Sequence, residues 1–245
     1  MIREGINSPV IGMTSFLMAG QSNMAGRGDL DEVEPIVNEK CFMYRVARWE
    51  KMVEPINVDK RMNSDYVPGI SLAASFADEY AKHFDASVGL IPCANGGTKI
   101  EQWRPGGDLF DYAVACAKLA MRTSKLGGIL WHQGESDSRH FNPDVYKEKL
   151  IATMTAFREA LGMPALPILI GEISEKCAEK WYVSKVAPEI NKVLHSVAKC
   201  IPNCAVVKAC DLGTRVDGIH FSSSSLRTLG VRYFEKYLDV IGSKE

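Results

Sequence analysis

Short continuous apolar runs alternate with amphipathic stretches along the whole chain. The run over residues 14–19 ends in Gly20-Gln21-Ser22-Asn23-Met24, a pattern that predicts a buried strand feeding a tight turn. Residues 29–67 are irregular and polar and predict loops, with one short strand near 41–45. Leu72, Phe76, Tyr80 and Phe84 recur at helical spacing, so a helix is expected over 69–84. The apolar run 87–92 enters a glycine-bearing loop, Cys93-Ala94-Asn95-Gly96-Gly97-Thr98. A helix is expected over 108–123, with Asp108 as N-cap and Leu109, Tyr112, Cys116 and Leu119 on its buried face. Gly127-Gly128 reads as its break, and 129–131 as a strand running into His132-Gln133-Gly134-Glu135-Ser136-Asp137.

The second half repeats the alternation. Residues 143–161 predict a long helix, with Asn142 ahead of Pro143, Gly162 at its end and a stripe of Tyr146, Leu150, Met154, Phe157 and Leu161. Strands are expected at 167–173 and 205–209, and a helix over 186–198 between them. Asp217-Gly218-Ile219-His220 is a polar turn, and residues 222–225 open a last helix lined by Leu226, Leu229, Tyr233, Tyr237 and Val240. Strands apolar on both faces, each followed by a helix, predict a three-layer α/β/α sandwich with a central, mostly parallel five-stranded sheet. No repeat or linker interrupts it, so residues 1–245 read as a single domain.

Composition narrows the function. A chain that is 46% hydrophobic and 24% charged builds an ordinary core, and its net charge of −1 gives no case for nucleic acid or an anionic membrane. No apolar run approaches the ~18 residues of a membrane span, and the amino terminus shows no apolar leader segment. The seven cysteines lack the dense spacing of a disulfide scaffold, which points to a reducing, cytoplasmic compartment. Cys200, Cys204 and Cys210, with His195 upstream, lack a C-x-x-C clasp, so burial near a helix-to-strand junction is expected there rather than a metal.

The chemistry collects after strands. In a parallel sheet the loops that follow the strands open on one edge. That edge would receive Ser22, Gly96 and Gly97, Gln133 and Glu135, and Asp217 and His220. A hydroxyl, oxyanion donors, an imidazole and carboxylates are what acyl transfer through a serine needs.

Four segments carry a family resemblance: Gly20-Gln21-Ser22-Asn23-Met24, the Gly96-Gly97-Thr98 segment running on to Trp103, Trp131-His132-Gln133-Gly134-Glu135-Ser136-Asp137, and Asp217-Gly218-Ile219-His220-Phe221-Ser222. In this order they closely resemble the sialate O-acetylesterase and acetylxylan esterase group, carbohydrate esterase family six, of the SGNH hydrolases. The resemblance implies a flavodoxin-like sandwich and removal of O-acetyl groups from acetylated xylo-oligosaccharide or sialic acid, without cofactor or metal. It places Ser22 as nucleophile, His220 as general base and Asp217 as triad acid. Because some members use the Glu of H-Q-G-E, Glu135 stays a second candidate for the acid, or a brace for its loop. The oxyanion hole would take the Ser22 N–H, a glycine N–H from Gly96 or alternatively Gly97, and the side-chain amide of Gln133. Gln21, Asn23, Gly97 and Trp103 are expected around the substrate, with Gln21 and Asn23 pinning the serine turn and Trp103 as a wall for sugar stacking. Two other readings remain: an SGNH lipase or thioesterase, and a carbohydrate-binding domain without catalysis.

Overall fold

The computed structural model describes residues 5–6, 12–57 and 67–242. Its strands are β1 (Gly5–Ile6), β2 (Thr14–Gly20), β3 (Cys41–Arg45), β4 (Arg48–Lys51), β5 (Val88–Pro92), β6 (Lys125–His132), β7 (Ile168–Gly171) and β8 (Cys204–Val207). Its helices are α1 (Ser22–Ala25), α2 (Leu72–Phe84), α3 (Asp108–Ala120), α4 (Pro143–Leu161), α5 (Val183–Cys200) and α6 (Ser223–Gly242). Among the described residues one sheet forms, in the order β1-β4-β3-β5-β2-β6-β7-β8. The six strands from β3 to β8 in that order are parallel, while β4 and β1 add an antiparallel edge.

Alternation along β2 sorts the core. Leu17 and Ala19 pack with residues of α3, α4 and α5 on one face. Phe16 and Met18 pack with residues of α2 and α6 on the other. The sandwich is as expected, but the sheet has eight strands, not five. The additions are β3, which is the short strand expected near 41–45, and β4 and β1, which were not expected. Strand β4 (Arg48-Trp49-Glu50-Lys51) has one apolar residue in four and gives no strand signal, yet it pairs with β3 across a turn in which Val46 and Ala47 both have positive φ. Residues 58–66 of the stretch expected as loops lie outside the described residues.

Two further expectations are corrected. Gly127-Gly128 does not break a helix but lies within β6. A Cβ on Gly127 would sit 2.5 Å from Thr14 Cγ2 and 3.0 Å from Phe16 Cζ, so the glycine lets β6 approach the irregular start of β2. Helix α3 ends at Ala120, is capped by Gly107 rather than Asp108, and buries Leu109, Phe110, Ala113, Val114, Ala117 and Ala120. Its small alanines set the packing face, which leaves Tyr112 and Leu119 largely in solvent.

Candidate active site

Strand β2 lies in the middle of the parallel set, with β5 on one side and β6 on the other. The chain lays β3, β4 and β5 on one side of β2 and then crosses to lay β6, β7 and β8 on the other, so the crevice at the carboxyl end of β2 is the place where open α/β sheets take ligands. The turn there is built by exclusion. Gly20 has φ +121°, and a Cβ on it would lie 2.2 Å from the His132 carbonyl oxygen. Gln21 then donates its backbone N–H to that same oxygen at 2.8 Å, and α1 begins at once with Ser22. A crossing this close throws the chain upward and leaves Ser22 on the wall of a cavity of about 560 Å³.

His220 lines the same cavity. It stands on a turn closed by the Arg215 N–H to the His220 carbonyl and the Gly218 N–H to the Arg215 carbonyl, each at 2.8 Å. The Asp217 Oδ1 accepts the backbone N–H of Ile219 at 2.9 Å and of His220 at 3.0 Å, while Oδ2 lies 2.9 Å from His220 Nδ1. Partial burial pushes this carboxyl up, but the two backbone donors and the imidazole outweigh it and hold it below the usual carboxylate range. An ionised Asp217 selects the tautomer that carries its proton on Nδ1 and leaves the Nε2 lone pair free to accept one.

The other predicted residues divide. Glu135 lies in the cavity wall but makes no bond to His220. Its Oε1 accepts the Asn23 side-chain amide at 2.5 Å and lies 3.6 Å from His132 Nε2. Asn23 in turn accepts the Phe221 backbone N–H at 3.0 Å. One side chain therefore ties together the loop after β2, the loop after β6 and the residue following His220. Burial would raise the Glu135 carboxyl, but His132 and Asn23 together bring it below its ordinary value. His132 takes its place in the scaffold through Nδ1, 3.3 Å from the Tyr233 hydroxyl.

Gln133 is a correction. It is fully buried and does not line the cavity. Its Nε2 faces the Asp137 carboxylate at 2.6 Å, the Thr98 carbonyl at 3.0 Å and Gln21 Oε1 at 3.2 Å, and its Oε1 accepts the Tyr146 hydroxyl at 3.0 Å. Two amide hydrogens with three acceptors already in place have none left for a substrate. Gln21 is in the opposite condition. Its Oε1 faces Gln133 Nε2 and the backbone N–H of Gly134 and Ser136 at 3.2–3.3 Å. Its own amide nitrogen has no hydrogen-bond partner among the described residues, and Gln21 lines the cavity. Of the two glycines, Gly97 lies in the cavity wall and Gly96 does not.

Trp103 is also misplaced by the sequence. It is wholly buried, donates Nε1 to Thr98 Oγ1 at 3.0 Å and packs edge-on against Trp131. The exposed aromatics at the cavity are Trp181 and Tyr182, which sequence reasoning missed, together with Arg139, Lys180 and Lys185. The signal was available: Trp181-Tyr182 follows a buried strand, so the rule that brought Ser22 to this edge brings them too.

The cysteine cluster does not gather. Cys200 is exposed at the end of α5, against expectation, because the helix runs two residues past its predicted end; Cys204 and Cys210 are half-buried. His195 Nε2 instead lies 2.7 Å from Glu172. No helix of the described residues is long and apolar enough to cross a membrane.

Comparison with known proteins gives the family and the fold. Residues 12–239 match the family model described as "Carbohydrate esterase, sialic acid-specific acetylesterase". A relative from Arabidopsis thaliana, "Probable carbohydrate esterase At4g34215", is 28% identical, over 95% of this chain and 93% of its own. The solved structure of that Arabidopsis protein superposes with a TM-score of 0.81 at 26% identity, covering 94% of this chain and 98% of the other. The fold is shared as well with NanS, at TM-score 0.77, 18% identity and coverage of 98% and 100%. It is also shared with a carbohydrate acetylesterase from Xanthomonas citri, at TM-score 0.65, 17% identity and coverage of 95% and 57%.

Proposed function

The chain belongs to the carbohydrate esterase, sialic acid-specific acetylesterase family, and we propose that it removes acetyl groups from sugar hydroxyls through an acetyl-serine formed on Ser22. The carboxylic ester hydrolase activity is that of the family; the roles of the residues are our reading. The observation that carries it is the Asp217–His220 pair, 2.9 Å apart, on the wall of the cavity that also holds Ser22.

In this reading His220 Nε2 takes the Ser22 proton as Oγ attacks the acetyl carbonyl, and Asp217 steadies the imidazolium that results. Charge then develops on the carbonyl oxygen. The residues that line the cavity and can supply donors are Ser22 and Gly97, through their N–H groups, and Gln21, through its free amide, which takes the part expected of Gln133. His220 returns the proton to the leaving sugar oxygen, and water, deprotonated by the same imidazole, releases acetate. Asn23 and Glu135 hold the serine and histidine loops in register.

On the exposed rim Arg139, Lys180 and Lys185 outnumber Glu179. That balance favours an acetylated acidic sugar, such as O-acetyl sialic acid, over neutral acetylated xylo-oligosaccharide. The seven cysteines are all free, which supports the cytoplasmic reading.

Acetate release from O-acetyl-N-acetylneuraminic acid and from acetylated xylobiose tests both levels. Turnover abolished by Ser22→Ala, with a fluorophosphonate adduct mapping to Ser22, is expected, and the acidic sugar should be the better substrate. An adduct on another serine overturns the mechanism, and preference for xylobiose overturns the substrate assignment.

A further inference from the structure

The loop between β7 and α5 carries two aromatic residues to which the mechanism assigns nothing. Of the four tryptophans, Trp49, Trp103 and Trp131 are 3%, 0% and 0% exposed, while Trp181 is 39% exposed and Tyr182 beside it 47%. Both line the cavity of Ser22 and His220. An indole left in solvent in a cleft, when three others are buried, needs a reason.

The loop is clamped to the turn that carries the histidine. Trp181 Nε1 donates to the Asp217 carbonyl at 2.7 Å, and the Ala178 N–H donates to the Gly218 carbonyl at 2.7 Å. Gly218 has φ +75°, and a Cβ on it would lie 2.3 Å from the Ala178 Cβ, so the two loops meet without a gap. The Trp181 N–H donates to the Ala178 carbonyl at 2.9 Å, and Ser184 Oγ donates to the Trp181 carbonyl at 2.8 Å. The indole is thus fixed at its polar end, and its ring stays partly exposed, with Lys180 Nζ over it at 5.9 Å from the centroid. A flat apolar surface held rigid before binding loses little entropy on contact. Pyranose rings present patches of C–H bonds that match such a surface, while their hydroxyls stay in water.

We propose that Trp181, flanked by Tyr182, is a sugar platform: a pyranose ring of the substrate stacks there, and the stacking presents its acetyl group to Ser22. The proposal rests on the acetylesterase reading and adds the residue that selects a ring-bearing ester over an acyclic one. The competing role is mechanical. Trp181 could serve only as a strut for Asp217, in which case its removal would slow every ester alike.

The two roles separate in kinetics. Trp181→Phe keeps an aromatic face and loses the Nε1 bond to Asp217, whereas Trp181→Ala loses both. Acetate release is measured from O-acetyl-N-acetylneuraminic acid, from acetylated xylobiose and from 2-hydroxyethyl acetate, which has no ring. For the better sugar, Trp181→Ala should raise KM about tenfold, ~1.4 kcal/mol, with kcat nearly unchanged, and Trp181→Phe should stay within about threefold of the parent. On 2-hydroxyethyl acetate the two variants, which lose the Nε1 bond to Asp217 alike, should be equal to each other. Equal losses on sugar and acyclic esters, or a Phe variant as impaired as the Ala variant on the sugar, overturn the platform. A second arm needs no turnover. In Ser22→Ala, titration with the same two sugars should shift the tryptophan emission, and Trp181→Phe in that background should abolish the shift; an unchanged emission overturns the proposal. Failure of the esterase reading itself would show separately, as absence of acetate release by the parent enzyme.

Discussion

Asp217 grips His220 at two points, its ring through Oδ2 and its backbone N–H through Oδ1, at 2.9 and 3.0 Å. The acid and the base are thereby one rigid unit. Glu135, the other candidate for the acid, spends its one close contact on Asn23 instead.

This division sets the first prediction. In another serine hydrolase, an amide in place of the triad acid lowers kcat by about 10⁴ because the wrong imidazole tautomer is favoured. Asp217→Asn should approach that loss. Glu135→Gln keeps an acceptor for Asn23 and should be milder by at least about tenfold, ~1.4 kcal/mol of barrier. Steady-state acetate release, on variants shown by circular dichroism to be folded, decides it. A dead Glu135→Gln beside an active Asp217→Asn would make Glu135 the acid.

A second prediction concerns the two glutamines. Gln21→Glu keeps the anchoring Oε1 and removes the side-chain amide hydrogens from the proposed oxyanion site, so kcat should fall by roughly 10²–10³ while KM moves little. Gln133→Ala should act first on stability. It strips partners from Gln21, Thr98, Asp137 and Tyr146, at a cost of roughly 1–3 kcal/mol for the buried groups left unpaired. Urea unfolding and kinetics measured side by side check this. Full activity in Gln21→Glu would return the oxyanion role to Gln133.

The meeting of Ser22, Asp217 and His220 at one sheet edge was legible in the sequence, and the walls around them were not. Helix α4 runs over the predicted residues because Asn142, Pro143 and Gly162 mark its ends locally. Ser22, Asp217 and His220 were legible because a parallel sheet delivers every post-strand loop to one edge. What failed were judgements that depend on close neighbours distant in sequence. Gly127 serves an approach to Phe16, and Gln133 is taken up by Gln21 and Thr98. Trp103 is sealed against Trp131, and none of these partners shows in a local pattern.

A third prediction is one of acid stability. Burial pushes the Glu172 carboxyl up, but His195 and the backbone N–H groups of Ala209 and Cys210 together hold it below its ordinary value. A depressed carboxyl contributes stability above its unfolded-state value of about 4.3, and the contribution is lost as pH falls through the folded value. Glu172→Gln should therefore be less stable than the parent at neutral pH, by about 1–3 kcal/mol, and the gap should close in acid. Urea midpoints from neutral pH down to about 2, below the ordinary carboxylate range, measure it; a gap that stays constant across that range would show that the charge contributes nothing.

The bond from the Phe221 N–H to the Asn23 side chain spans 198 positions of sequence. A ribosome that has just released the serine turn must still synthesise most of the protein before the histidine turn exists to meet it. The closure of so long a loop comes at an entropic disadvantage that only the assembled sheet can offset. Catalytic activity in this enzyme is therefore a late event in folding, and its first appearance during refolding marks the moment at which both ends of the chain have come home.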